Sequence, residues 1–479
     1  MTSVVVGLGK TGASCLRYLA RHGVPAAATD SRRSPPGLQE LGDLARTLDI
    51  RLGGFDLSLL DGASQLLMSP GVPLDAAIAR EARARGIEVV GDIELFARAV
   101  RAPVVGITGT NGKSTVTSLI ASMAIAAGRR VLAGGNLGVP ALDLLDQPTP
   151  DLYVLELSSF QLETTSSLEL EAAVVLNVTS DHMDRYASLE EYARAKARIF
   201  AHAAAVVLNA DDALVAAMRG AAMRGAAMDG AAIGGGAIGG GAMGDGAMGD
   251  GAATVRSAAA PPTVTFSIQR SDADYALLRQ GTRTFLCRRG AAVLDIAAMK
   301  ITGLHNAANA LAALAMGDAI GLPLPAMLGA LEAFPGLPHR SAWVADIAGV
   351  RYVDDSKGTN VGATIAAVEG IPGRLVMIAG GQGKGQDFAP LAAAFKDKVH
   401  HAVLIGVDAP LVQRAIEGVC KVELTGSMTD AVAAAAHVAQ PGDTVLLSPA
   451  CASLDMFRDY GHRGDEFAAA VRGLAKATS

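Results

Sequence analysis

The run Val104-Val-Gly-Ile-Thr-Gly109-Thr-Asn-Gly112-Lys113-Ser114-Thr115 constrains this chain more than any other stretch. Its apolar, β-branched start reads as a buried strand and its end as the first turn of a helix. The glycine-bearing loop between them turns backbone N–H groups outward at a helix N-terminus, where the dipole favours an anion. Lys113 can reach the β- and γ-phosphates of a nucleotide, and the Ser114 hydroxyl can ligate Mg²⁺. A strand, a phosphate loop and a helix in that order point to an α/β chain with a parallel sheet.

A second glycine turn stands at the start. Gly7-Leu-Gly9-Lys-Thr-Gly12 follows Val4-Val5-Val6 directly and opens a helix, and Asp30 ends the next strand-like run. The glycines let backbone approach a pyrophosphate on the helix N-terminus, and a carboxylate at Asp30 can read a ribose or base. Alone, this pattern suggests a dinucleotide such as NAD, or glycines that only permit tight strand–helix packing.

With 479 residues, the chain exceeds what one hydrophobic core usually serves, and three domains are expected. Half of the residues are hydrophobic, only 4% are aromatic and 55 are glycine, which suits glycine-turned α/β units better than a sandwich. The runs Val104–Thr108, Leu152–Leu155, Ala173–Leu176, Arg374–Ile378 and Thr444–Leu447 alternate with helical patterns, as in parallel sheets with crossover helices. Pro103 and the stretch Ile301-Thr302-Gly303 before an alanine-rich helix mark breaks, giving expected domains of 1–93, 94–298 and 299–479. Residues 216–250 form seven glycine-rich pentapeptides whose period fits neither collagen nor a heptad, so an expanded surface loop is expected there.

The net charge of −6, with both signs interspersed, provides no basic field for nucleic acid. Four scattered cysteines without a C-x-x-C pair indicate neither zinc nor disulfides and fit a reducing cytosol. The first residues lack the charged and apolar regions of a signal peptide, and no apolar run approaches the roughly 20 residues that cross a bilayer. A cytoplasmic monomer that touches neither nucleic acid nor membrane is expected.

Two further clusters end apolar strands, where α/β sheets bind ligands. In Asp151-Leu-Tyr-Val-Leu-Glu156-Leu-Ser158-Ser159-Phe160-Gln161 a carboxylate stands beside two hydroxyls; behind a phosphate loop it reads as a metal ligand rather than a solvated strand end. Asn177-Val-Thr-Ser-Asp181-His182-Met-Asp184-Arg185 offers His182, which alone would read as structural, and Lys196 by its spacing reads as a solvated helix lysine.

The segments Glu156 to Gln161, Asn177 to Arg185 and Ala195-Lys196-Ala-Arg-Ile199 resemble the central domain of the Mur ligase family. The phosphate loop, with Ile107 where a Walker glycine is usual, has the shortened form that this family shares with folylpolyglutamate synthases. The resemblance continues through Gly303-Leu-His305-Asn306-Ala-Ala-Asn309, Leu337-Pro-His339-Arg340, Asp354-Asp355-Ser356-Lys357-Gly358-Thr359-Asn360, Gly380-Gly-Gln382-Gly-Lys384 and Ser448-Pro-Ala-Cys451-Ala-Ser453. It covers nearly the whole chain except the pentapeptides.

The resemblance implies a Rossmann-like N-terminal domain, a central P-loop-type ATPase domain and a Rossmann-like C-terminal domain. It implies ATP at Gly109, Thr110, Asn111, Gly112, Lys113, Ser114, Thr115, Asn309, Arg340 and Asp355. Mg²⁺ is implied at Ser114, Glu156, His182 and a carbamylated Lys196, with Lys113, Lys196, His182 and Glu156 carrying the catalysis. For the UDP-sugar it implies Lys10, Thr11, Asp30, Ser31, Arg32, Ser69, Gly71, Asn136, Ser158 and His182. The last segment resembles the D-glutamate-adding members, which implies UDP-N-acetylmuramoyl-L-alanine and D-glutamate as substrates, with L-glutamate the competitor. Lys357, Thr359, Lys384, Ser453, Leu454 and Tyr460 match the glutamate end. Cys451 reads as a buried small hydrophobe. Gly358, Gln382 and Tyr460 depart from the family's usual Ala, Asp and Phe; none removes an expected ligand. A folylpolyglutamate-type ligase lacks the N-terminal nucleotide unit, an NAD oxidoreductase has no use for Lys113-Ser114, and a non-catalytic binder needs no Glu156, His182 and Lys196.

Overall fold

The computed structural model describes residues 2–218 and 261–477. Beyond residue 218 the pentapeptide repeat lies outside that range, and the expectation of a surface loop lies there with it.

Among the described residues the strands form three sheets. The first has five parallel strands in the order Asp49–Leu52, Ala26–Asp30, Thr2–Val6, Ala63–Met68, Glu88–Val90. Val4, Val5 and Val6 at its centre are wholly buried, as a strand covered on both faces requires. The turn into the helix Lys10–Arg21 passes so close to its strand that a Cβ on Gly12 would overlap the Gly7 carbonyl oxygen. That contact explains the third glycine of the motif.

The second sheet has nine strands, with Val104–Thr108 between Ala172–Val175 and Leu152–Glu156. Six strands, from Val131–Gly135 across to Thr263–Ser267, run parallel. Tyr275–Gln280 pairs parallel to the last of them and then begins an antiparallel meander through Arg283–Arg288 and Ala291–Asp295. The third sheet has the order Ala342–Ile347, Val350–Asp354, Thr444–Leu447, Leu375–Gly380, Val399–Ile405, Lys421–Leu424, and only its first pair is antiparallel. Short hairpin connections need no crossover helix, so these edges lacked the strand–helix alternation that marks a parallel sheet.

The expected break at 299 is displaced. The helices Leu304–Ala319 and Leu324–Ala333 pack on the phosphate-loop helix Lys113–Ala126 and share its apolar core, so they belong to the central unit. The first of them is buried from Ala310 through Gly317 on every side, and such a helix must lie inside a larger unit. The third sheet starts only at Ala342. Residue 94 falls inside the helix Asp92–Ala99, whose Phe96 packs edge-on against Tyr153 of the central sheet with ring centroids 5.3 Å apart. No described helix is long and apolar enough to cross a membrane.

Candidate active site

Strand ends of all three sheets carry the expected site residues. At the first sheet, Lys10, Thr11, Asp30, Ser31, Arg32, Ser69 and Gly71 line one cavity, and Asn136 and Gln161 close it from the central unit. Asp30 lies there under its own chain's control: Leu8 N–H donates to one oxygen at 2.6 Å and the Arg32 guanidinium spans both. Burial pushes its carboxyl up, but these donors leave it below the usual value. Its carboxylate therefore shapes the Gly7–Gly9 turn and holds Arg32 over the cavity mouth. Ser158 does not line that cavity. It caps the short helix Ser159–Leu162 and exchanges hydrogen bonds with Gln161, which does.

The phosphate loop follows the strand Val104–Thr108. Gly112 sits at φ +84°, where a side chain would be strained and would collide with Asn309. Thr110 is fixed by reciprocal bonds with the Thr179 backbone, and Asn177 bonds both the N–H and the carbonyl of Asn111. Lys113 Nζ donates to the Gly109 and Thr110 carbonyls at 2.9 and 2.8 Å. Asn111, Gly112, Thr115, Asn309, Arg340 and Asp355 line a second cavity between the central unit and the third sheet, joined there by Lys357. Arg340 crosses that boundary and donates to the Ser114 hydroxyl at 2.8 Å. Burial lifts the Asp355 carboxyl to about 7, against the Ser448 hydroxyl and Arg340 that pull it down.

Glu156, 3% exposed, ends its strand beside the loop. Burial would protonate it, but Lys113 and the Asn136 amide, 2.7 Å from Oε1, hold its carboxyl below the usual value. Its other oxygen, Oε2, is buried without a hydrogen-bond partner. His182 adopts φ 58° and packs edge-on to Phe160. Burial lowers its imidazole to about 4, so it is neutral near pH 7. Lys196 is 1% exposed, which overturns the solvated reading. It donates to the same Gly109 carbonyl as Lys113, at 2.9 Å, and lies 4.2 Å from the centre of the Tyr192 ring. Burial first, and then the neighbouring Lys113, lower its ammonium well below the ordinary lysine value. Among the described residues no three His, Cys, Asp or Glu side chains converge on a metal position. An ionised carboxylate with one unpartnered buried oxygen, a neutral imidazole and a serine hydroxyl nevertheless suit a hard cation that takes its other ligands from phosphate and water.

On the third sheet's side, Lys357 Nζ lies 3.7 Å from the centre of the Tyr460 ring, and burial lowers its ammonium to about 8. Thr359 N–H bonds the Lys357 carbonyl. Lys384 Nζ reaches across to Asp181 Oδ1 at 2.7 Å. A bridge between Gln382 and Ala452 ties the Lys384 loop to the loop bearing buried Ser453 and exposed Leu454. Cys451 is fully buried, as expected. Three further groups of the site carry no distinct sequence signal. Asp181 stands beside His182, and Asn360 ends its motif. Arg463, fully buried, bonds Ser356 and the Cys451 carbonyl, but a lone arginine in the helix Tyr460–Ala477 gives no sequence signal.

Comparison with known proteins identifies the family. Residues 1–91 match the model of the Mur ligase MurD-like N-terminal domain, 107–227 the Mur ligase middle domain and 339–451 the Mur ligase glutamate ligase domain. The chain is 50% identical over 475 residues to the UDP-N-acetylmuramoylalanine--D-glutamate ligase of Nitrosococcus oceani, covering 99% of this chain and 97% of that one. It is 48% identical to the ligase of the same name from Methylococcus capsulatus, covering 98% and 95%. Among solved structures, UDP-N-acetylmuramate-alanine ligase MurC from Thermotoga maritima superposes with a TM-score of 0.60 at 17% identity, over 99% of this chain and 100% of that one. A pseudomurein peptide ligase type C from Methanothermus fervidus gives 0.59 at 18%, over 99% of each. These two share the fold. With three domain models in order and relatives near half identity along its whole length, the chain belongs to the Mur ligase family.

Proposed function

We propose that this chain is a cytoplasmic, monomeric, ATP-dependent ligase that joins D-glutamate to UDP-N-acetylmuramoyl-L-alanine in peptidoglycan precursor synthesis. The observation that carries the chemistry is the pairing of Lys113 with an ionised, buried Glu156 whose Oε2 lacks a partner. The names of the relatives support the choice of substrates.

The first cavity takes the UDP-sugar, with Lys10, Thr11, Ser31 and Arg32 at its polar end and Asn136 toward the reacting carboxylate. The second takes ATP, with Asn309 at the base and Arg340 beside the phosphates. The L-alanyl carboxylate attacks the γ-phosphorus, the bond to the β,γ-bridging oxygen breaks, and ADP leaves an acyl phosphate. Lys113 and Arg340 counter the charge of the transferring group. The amine of D-glutamate, held through Lys357, Thr359, Lys384, Ser453, Leu454 and Tyr460, then attacks the acyl carbon; the carbon–oxygen bond breaks, phosphate departs, and the amine loses its proton. Ser114, Glu156, His182 and Lys196 would hold Mg²⁺, which neutralises phosphate charge. Lys196 serves as a carbamate: its burial beside Lys113 favours the neutral amine, which attacks CO₂ and releases a proton, turning a cation into an anion.

Phosphate release with UDP-N-acetylmuramoyl-L-alanine and each candidate amino acid tests the reading. The wrong enantiomer leaves a charged donor unpaired at a cost of about 1–3 kcal/mol, so D-glutamate should exceed L-glutamate by a factor of about 5 to 150. Equal turnover with L-glutamate defeats the stereochemical assignment. Lys196→Ala should abolish ligation, with partial recovery in concentrated formate; a fully active variant defeats the carbamate.

A further inference from the structure

The boundary between the central unit and the third sheet holds a chain of side chains whose middle members, Asn360 and Asp181, none of the roles above uses. Asn360 N-caps the helix Val361–Gly370: its Oδ1 accepts from Ala363 N–H at 2.8 Å. That bond fixes the amide orientation, because a backbone N–H needs the oxygen. Nδ2 must then face the other way, where it donates to Asn111 Oδ1 at 3.0 Å and to Asp181 Oδ2 at 3.3 Å. Asn111 Nδ2 returns a bond to Asn360 Oδ1 at 3.3 Å. Asn111 belongs to the phosphate loop, and its backbone is held by Asn177. The second oxygen of Asp181 takes Lys384 Nζ at 2.7 Å and the His182 N–H at 2.9 Å.

Asn177, Asn111, Asn360, Asp181 and Lys384 thus form one uninterrupted series that crosses the boundary three times. Asn360 and Asp181 are 3% and 7% exposed, so their bonds are made away from competing water. Among the described residues no hydrophobic cluster spans this boundary, which leaves polar contacts to set its register.

We infer that Asn360 is a positioning residue: it docks the C-terminal domain on the phosphate loop and, through Asp181, sets the place of the Lys384 ammonium at the amino-acid end of the site. The name of the amino acid rests on the ligase reading; the docking does not. Because its amide reaches Lys384 through Asp181, and none of the three lines the first-sheet cavity, a change at Asn360 acts on glutamate binding without touching the UDP-sugar cavity.

Asn360→Asp in the full chain is the discriminating variant. Aspartate keeps the helix cap but sets a carboxylate against that of Asp181. Asn360→Ser is its neutral companion, which caps the helix and is too short to bridge. Small-angle scattering with the nucleotide analogue AMPPNP and with UDP-N-acetylmuramoyl-L-alanine reads domain docking without turnover, and steady-state kinetics read each KM. Both variants should keep the wild-type melting temperature and show a larger radius of gyration. The KM for D-glutamate should rise about tenfold or more, the scale of one lost buried polar contact, while the KM for the UDP-sugar stays within about twofold. Aspartate should be the worse of the two. A folded variant with unchanged radius and unchanged glutamate KM overturns the inference, and so does an equal rise in both KM values. Wild-type protein that turns over no amino acid defeats the ligase reading instead, while the scattering arm still decides the role of Asn360.

Discussion

The central unit meets its two neighbours in different ways. Toward the N-terminal domain the apolar core is continuous: Leu16, Ile93, Leu95 and Phe96 belong to the same buried cluster as Leu142, Tyr153 and Leu155. Polar bonds accompany that seam, with Arg17 and buried Ser14 on Asp143 and the Arg185 guanidinium on the Pro70 and Val72 carbonyls. Toward the C-terminal domain no apolar cluster crosses among the described residues, and Arg340, Asn360 and Lys384 supply the bonds. Separating the first pair exposes apolar surface to water; separating the second exchanges protein hydrogen bonds for water ones at modest net cost. The cavity proposed for the UDP-sugar therefore spans a seam built as core, and the cavity proposed for ATP spans one held by polar bonds.

Breaking the first seam should have the largest effect on stability. Phe96→Ala removes a wholly buried ring shared by both units and should destabilise by about 3–5 kcal/mol in urea unfolding. A cost below about 1 kcal/mol would show that the seam is not core. Asp92 lies in the same seam, fully buried, with its carboxyl raised by burial to about 6 against Gln161, which pulls it down. A carboxyl whose folded value lies above its unfolded one loses stability as pH rises between the two, here from about 4 to about 6. Asp92→Asn should remove that slope, so that melting curves of variant and parent diverge across this window by something on the order of 3 kcal/mol. Parallel curves would place Asp92 in contact with water. Ser14→Ala removes the hydrogen bond of a fully buried hydroxyl to the Asp143 carboxylate and should cost about 1.5–3 kcal/mol with unchanged turnover. Across the second seam, Lys384→Ala should change the melting free energy by less than about 1 kcal/mol, because the domain can swing away and hydrate Asp181, while the KM for glutamate rises steeply. A large loss of stability there would erase the contrast.

Much of this was legible in the chain itself. Val104–Thr108 and Thr444–Leu447 end where the sequence indicated, because a β-branched run closed by a glycine or a polar turn has few alternatives. Lys10, Thr11, Asp30, Ser31, Arg32, Ser69 and Gly71 line one cavity; the glycine motif and Asp30 were legible from local pattern, whereas the other positions came from the family resemblance. The limit of the third domain was not legible. Ala310 through Gly317 carry no amphipathic stripe, and a helix buried on all sides gives a reader no face to assign.

The sequence by itself determined the phosphate loop, the parallel α/β units and the residue types at the strand ends, since these follow from local periodicity and from glycines with no conformational substitute. Only the tertiary structure decided that Lys196 is buried against the loop, that Glu156 keeps one oxygen unpartnered, and that Asn360 ties Asn111 to Asp181. A desolvated lysine and a solvated one share the same letter, and a hydrogen bond between residues far apart in the chain leaves no period to read. Their chemistry is set by which groups the packed domains bring within about 3 Å and by the water they exclude.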